Sequence, residues 1–261
     1  MSTHSTGFTV LPYPRTRQLM VDGGRLGRNK HTIHGLVEFD VTKVRTALHR
    51  QKTGTGEATS FSAFFLACLG QAIDADRQVQ AYRNWRNQLV IFDAVDVNML
   101  FEVEVEGVKT IRPHIIRDVN HKTIHELHTE IRAFQQEHQQ SEESKFIDAF
   151  VRLPSFARRL FLRWLFRQPE RLKEVYGTVL VTSIGMFGHG SGWGIPVTNH
   201  TLQLTLGGIA AKPGVIVNRI EVREYLSIPA SFDHDIVDGA PAARFMERLR
   251  KLVETAAGIE D

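Results

Sequence analysis

The chain of 261 residues holds one cysteine, Cys68. No intrachain disulfide can form, and the cysteine usage gives no reason to infer an oxidising compartment. Cys68 lies in an apolar run at 64–69 and reads as a small core residue rather than a nucleophile. No apolar stretch approaches the ~20 residues of a membrane span. Residues 1–10 lack a basic flank followed by an apolar core, so no secretory leader is expected. Charge of one sign is scarce too: 32 basic against 29 acidic side chains leave a formal +3. That balance is too small and too scattered to indicate nucleic acid. There is no internal repeat, low-complexity tract or Pro/Gly/Ser linker. What remains, 42% hydrophobic and 23% charged, has the composition of an ordinary globular chain, expected in the cytoplasm and long enough for one large domain or two small ones.

Pro12, Pro14, Gly23, Gly24 and Gly27 break the first thirty residues, which read as an irregular N-terminal arm (1–30) ahead of one domain at 31–261. Residues 33–41 read as a strand running into a helix near 44–51. Ser60 is placed to cap an apolar helix through residue 73, with Phe61, Phe64, Phe65, Cys68, Leu69 and Ala72 at helical spacing. Val95, Val97 and Met99 alternate with polar residues, as do Val103 and Val105. A helix follows at 123–136. Strands are expected at 176–183, 201–206 and 225–232, and Leu202, Leu204 and Leu206 alternate with Thr201, Gln203 and Thr205 as in a sheet with one buried face. A last helix, opened by Pro241, carries Phe245, Leu249, Leu252 and Val253 on one side. Strands and helices do not alternate strictly, which favours an α+β sandwich over a parallel α/β fold.

Two stretches carry candidate chemistry. Residues 231–239 end a β-rich run in His234, followed four residues later by Asp238 and then Gly239. A histidine at a strand end faces a cleft and titrates near neutrality, which suits a general base. Asp238 is placed to orient the ring or hold the turn, and Gly239 to allow a backbone geometry closed to other residues. The alternative is a plain turn whose histidine only caps backbone. Residues 177–188 form a strand ending in Thr182 and Ser183 before a glycine turn, and hydroxyls so placed can donate to an oxyanion.

Together these stretches resemble the catalytic domain of the dihydrolipoamide acyltransferases of 2-oxoacid dehydrogenase complexes, which shares its fold with chloramphenicol acetyltransferase. The H-x-x-x-D-G motif is His234, Asp238 and Gly239. Val97-Asn98, residues 115–118 and 122–127, and the strand at 33–40 follow the family's order, so the resemblance covers about 15–255. It implies a two-layer α+β sandwich, a mixed sheet with helices packed on it, assembled as a homotrimer or as an assembly of trimers. It also implies acyl transfer between coenzyme A and a dihydrolipoyl-type thiol, in which His234 takes the thiol proton. Thr182 would stand where the family has its oxyanion-binding serine, with Ser183 beside it. Asp238 would be structural, its partner Arg17 or, second, Arg15. The family's site lies between subunits. No lipoyl domain is seen ahead of the core, so the lipoyl group would be free or carried by another protein, and dehydrogenase components are further expected partners. Rival readings are a small-molecule O- or N-acyltransferase and a structural core subunit without turnover.

The chain departs from the family at Asp235, where an arginine is usual, and at Met99-Leu100-Phe101, where small residues are usual. A carboxylate at 235 is expected to raise the imidazole pKa or alter loop packing. His121, His125 and His128 share a helix stripe but read as boundary residues, and no metal is expected. Gly185 to Gly194 reads as a mobile or tightly packed loop rather than a phosphate loop. A basic helical insertion at about 141–175 carries Arg152, Arg158, Arg159, Arg163, Arg167, Arg171 and Lys173 against Glu170 alone at 150–173. It reads as packed on the protein's own oligomer with snorkelling arginines, a membrane surface or an acidic partner being the alternatives. Membrane contact is not expected.

Overall fold

The computed structural model describes residues 7–13, 17–55, 59–105, 108–136, 149–184 and 190–259. Arg15 and the glycine turn at 185–189 lie outside them. The run at 33–41 forms strand β1 (Thr32–Asp40), and a two-stranded ribbon follows as β2 (Tyr82–Arg83) and β3 (Leu89–Val90). The alternating valines form β4 (Val97–Val105), which pairs back on β5 (Val108–Ile116). The runs at 176–183 and 201–206 supply β6 (Val179–Ser183) and β7 (Leu202–Leu206). The strand expected at 225–232 belongs to the longer β9 (Arg219–Asp233), preceded by β8 (Ile209–Ile216). No strand was expected at β8, which contains Pro213; among the described residues it pairs with β9 only, and an unpaired edge tolerates proline.

Seven strands make one mixed sheet in the order β1-β9-β7-β6-β4-β5, with β8 also on β9. The pairs β4–β6 and β6–β7 are parallel and the others antiparallel. The α+β sandwich with a mixed sheet is therefore the observed architecture. Four helices pack with one face: α2 (Thr42–Thr55), α3 (Phe61–Asp74), α4 (Ile124–Gln136) and α7 (Gly239–Glu254). Ser60 caps α3, its hydroxyl accepting from Ala63 N at 3.2 Å. α3 is apolar nearly all round because α4 and α7 flank it. Phe245 on α7 meets Phe232 on β9 edge-on at 6.0 Å. Cys68 is buried, and desolvation pushes its thiol up to about 12, so it is an inert core residue.

The irregular arm needs correction, because Arg17–Gly27 is a helix, α1. Gly23 and Gly27 serve close packing against Asn199 rather than a break. A Cβ on Gly27 would fall 2.8 Å from both Asn199 Oδ1 and Thr198 O. Residues 141–148 of the basic insertion lie outside the described residues; the described part contains α5 (Ser155–Leu165), preceded by Pro154, and α6 (Pro169–Tyr176), opened by Pro169. α5 is tied to α1 by Arg158, which is buried against the equally buried Asp22 with Nε–Oδ2 at 2.8 Å. The guanidinium also donates to Leu153 O (2.7 Å), Val151 O (3.2 Å) and Gln18 Oε1 (3.1 Å).

Breaking a buried pair leaves an uncompensated charge, a loss of roughly 3–5 kcal/mol. Arg158→Ala is expected to lower the unfolding free energy by that amount in urea titrations. Arg158→Met combined with Asp22→Leu should recover most of the loss, since no charge is then stranded.

Candidate functional site

β9 is paired on both edges up to its end. Asp233 lies opposite Thr32 on β1, and its N–H donates to Thr201 O at 2.9 Å on the other side. His234 continues the ladder, its N–H donating to His31 O at 2.7 Å. The chain then turns, with Ile236 N and Val237 N both donating to Asp233 O (3.0 and 2.9 Å). The result is a fixed backbone and an exposed imidazole with no hydrogen-bond partner among the described residues.

Two residues between α1 and β1 clasp this turn. Lys30 Nζ pairs with the buried carboxylate of Asp233, and His31 Nδ1 pairs with Asp235 at 2.8 Å. Arg83 adds a weaker contact to Asp235 at 3.6 Å. Of the two effects expected of a carboxylate at 235, the structure shows the one on loop packing, since the carboxylate is taken by His31. The hydrogen bond and charge of Asp235 raise the His31 pKa, and His31 in turn lowers that of Asp235.

The other motif residues depart from expectation in the single chain. Asp238 is exposed and precedes α7 without a side-chain cap bond, while its carbonyl accepts from Ala242 N at 3.0 Å. Arg17, also exposed, opens α1 and makes no ion pair with Asp238. Gly239 is not in the left-handed region, and a Cβ there would meet nothing within 4 Å, so no special backbone geometry calls for it. It lines an open groove of about 360 Å³ between β1 and α7, with Ile33, His34, Phe232 and Met246.

Thr182 and Ser183 end β6, both half-buried. Thr182 Oγ1 donates to Thr205 Oγ1 at 3.2 Å across the β6–β7 pair. Thr205 lies four residues along β7 from Thr201, which accepts the bond from Asp233. At ~3.3 Å per residue, Thr182 and His234 are separated by at least about 13 Å along the sheet. Within one chain they cannot serve a single reacting carbon.

The face carrying Thr182 is less solvated than the alternation at 201–206 suggested: Thr201, Gln203 and Thr205 are all buried. Register places Asn98, Leu180, Gln203, Ser231 and His34 in one row across it. His34 Nδ1 lies 2.8 Å from Ser231 Oγ, and Asn98 Nδ2 donates to Tyr176 O at 3.2 Å. His200, which no sequence signal singled out, stacks on Tyr176 at 4.2 Å with Nε2 3.0 Å from Tyr176 O. Its burial pushes the pKa down to about 3. The described part of the glycine-rich loop is tightly packed: Gly190 O and Gly192 O occupy the places where Gly208 and Gly207 would carry a Cβ. Of the helix-stripe histidines, His121 pairs with Asp118 at 2.8 Å and His128 Nδ1 accepts from Ser60 N at 3.0 Å. Among the described residues no three His, Cys, Asp or Glu side chains are grouped to hold a metal ion, and no helix is long and apolar enough to cross a membrane.

Residues 168–259 match the family described as 2-oxoacid dehydrogenases acyltransferase (catalytic domain). A relative from Corynebacterium glutamicum, the dihydrolipoyllysine-residue acetyltransferase component of pyruvate dehydrogenase complex, is 36% identical over 84 residues. That match covers 31% of this chain and 12% of the relative, so the likeness spans a small part of the longer protein. Among solved structures, a probable dihydrolipoamide acetyltransferase from Listeria monocytogenes superposes with a TM-score of 0.72 at 19% identity, covering 98% of this chain and 99% of that one. The dihydrolipoamide acetyltransferase of Azotobacter vinelandii, studied for the role of a serine, a histidine and an asparagine in its catalytic mechanism, gives 0.72 at 17% identity over 97% and 93%. A chloramphenicol acetyltransferase gives 0.51 at 14% identity over 95% and 96%. The fold is the chloramphenicol-acetyltransferase-like sandwich.

Two titrations follow. His200 is neutral when folded, so the stability present above pH 6.5 is lost as pH falls toward about 3. Urea midpoints should drop across that window, and less steeply for His200→Gln. The His31–Asp235 contribution has the opposite sign, present below pH 6.5 and lost as pH rises through the raised pKa. By NMR His31 should titrate above 6.5, and Asp235→Asn should return it toward that value.

Proposed function

From a chain whose residues 168–259 carry the sequence of the 2-oxoacid dehydrogenase acyltransferase catalytic domain, and whose described length takes that domain's fold, we propose an acyl-CoA-dependent acyltransferase. It moves an acyl group between coenzyme A and a dihydrolipoyl-type thiol. The observation that carries this reading is His234: a backbone held by β1 on one side and the 233–237 turn on the other, and an imidazole left open to an incoming group.

A thiol with a pKa near 8.5 is only a few per cent thiolate at neutral pH, so a fixed base is needed. His234 takes the thiol proton as sulfur attacks the thioester carbonyl carbon. The carbonyl electrons move to oxygen, and a hydroxyl donor stabilises that oxyanion. Collapse reforms the carbonyl, breaks the original carbon–sulfur bond, and the proton held by His234 passes to the leaving thiolate.

Thr182 is assigned as the hydroxyl donor, with Ser183 beside it. Spacing supports the assignment: the serine, histidine and asparagine named for the Azotobacter enzyme are separated by the same intervals as Thr182, His234 and Asp238. The separation of Thr182 from His234 within one chain supports a site completed by a second copy, hence a homotrimer or an assembly of trimers. Asp238 and Arg17, both exposed, are assigned to fixing the active-site turn in that assembly, with Gly239 lining the adjoining groove. Coenzyme A binds as the acyl thioester, and the lipoyl group comes free or on another protein of a 2-oxoacid dehydrogenase-type system in the cytoplasm.

The test is acyl transfer from acetyl-CoA to dihydrolipoamide. His234→Ala should lower the rate by roughly 10²–10⁴, and Thr182→Val by roughly 10²–10³, with Thr182→Ser retaining activity. Mixed assemblies of the His234→Ala and Thr182→Val chains should regain turnover at interfaces that pair one intact group from each. Absence of turnover by folded, trimeric wild type would sink the lipoyl reading, and small-molecule acceptors would come next.

A further inference from the structure

The acyl-transfer reading makes no use of α5. Its inner side is fixed by the Arg158–Asp22 pair and by the buried Leu165, which determines what its outer side shows. Phe156, Leu160 and Trp164 stand at i, i+4 and i+8, exposed by 69%, 69% and 41%. Beside them Arg159 and Arg163 form a second stripe at the same spacing, with Arg167 in the turn just after the helix, all three exposed. Arg152 and Arg171 flank the two stripes, Arg171 over the Trp164 ring at 5.0 Å.

Arg152, Arg163 and Arg167 make no ion pair with any described residue, and Arg159 donates only to Ser155, through its backbone oxygen and its hydroxyl. Glu170 is the one acid between residues 149 and 173. The helix is therefore a ridge roughly 16 Å long, apolar along one line and cationic along the next.

We propose that this face of α5 seats on the anionic surface of a lipid bilayer. Phe156, Leu160 and Trp164 enter the headgroup–acyl boundary while the arginines bind lipid phosphates, a division of labour that suits an amphipathic helix lying in the interface. Charge disfavours a two-fold contact of this face with itself, which would bring together two arginine stripes that have no acidic partner among the described residues. The concavities at 211–222 and between β1 and α7 lie elsewhere on the chain, and a protruding apolar line fits a planar surface better than a partner's groove.

The experiment is co-sedimentation of the full chain with vesicles of phosphatidylglycerol and phosphatidylcholine, against vesicles of phosphatidylcholine alone. Binding is expected only to the anionic vesicles and should weaken as salt is added. Each basic residue near such a surface changes partitioning by roughly fivefold, so Arg159→Gln with Arg163→Gln should weaken it about 30-fold. Phe156→Ser with Leu160→Ser should release the protein as well, with the melting temperature unchanged because all four side chains are exposed. Failure of folded wild type to sediment with anionic vesicles overturns the proposal. So does capture by polyglutamate without vesicle binding, which would point to an acidic protein. A change in particle mass in the arginine variant would likewise overturn it, by placing the face between copies of the chain.

Discussion

The double pairing of β9 is the constraint on which the molecule depends. Over residues 225–233 the strand has β1 along one edge, and on the other it has first β8 and then β7. The exchange of partners occurs at Gly207 and Gly208, where Gly207 N donates to Ser227 O and Ser227 N to Gly208 O. No slip of register is open to a strand so held, because a one-residue shift would turn Ile228, Ala230 and Phe232 out of the core. Phe232 fixes α7 through Phe245, and the same strand end delivers His234. Core packing and the position of the candidate base are set by one set of contacts.

Buried charges give the second half of the chain its attachment. Asp96, buried, accepts from Arg117 Nη1 at 2.8 Å and Asp118 N at 3.0 Å, with Lys173 Nζ at 3.3 Å. It thereby joins β4, the end of β5 and α6. Gly177 follows α6 with a φ of +73°, and a Cβ there would lie 2.8 Å from Asp96 O, so the chain enters β6 through a position that only glycine fits well. Arg158 and Asp22 do for α1 and α5 what Asp96 does for α6. In each case a charge out of water is met by several donors or acceptors, and this makes the contact specific in direction as well as in partner.

The electrostatics near His234 differ from what the neighbouring residues imply when read in line. Asp235 is adjacent in sequence, yet the β9 turn directs its carboxylate to His31, over two hundred positions earlier. Asp233 is turned to Lys30. The imidazole has no hydrogen-bond partner among the described residues, while the residues on either side of it are held. The base proposed at His234 would have its backbone held by the β9 turn and its ring nitrogens open to an incoming group.

Much was legible in the sequence by itself. The H-x-x-x-D-G motif, the alternating strands, the Ser60 cap and the apolar stripe of α7 were all visible, because period, capping and turn chemistry are local. Leu202, Leu204 and Leu206 were identifiable as core by alternation alone. Their partners Thr201, Gln203 and Thr205 were misjudged as a solvated face, since burial of a strand's second face depends on what lies over it. Tertiary structure alone decided that α1 is a helix: Gly23 and Gly27 lower its intrinsic propensity, and only the fold shows Asn199 packed where a Cβ would stand. It also decided that Asp235 serves His31, that β8 exists despite its proline, and that Thr182 and His234, each at the C-terminal end of its strand, stand at opposite ends of the sheet. Each of these depends on chain segments far apart in sequence, and the distance between two side chains across a sheet is fixed by strand order and register, which no local pattern records.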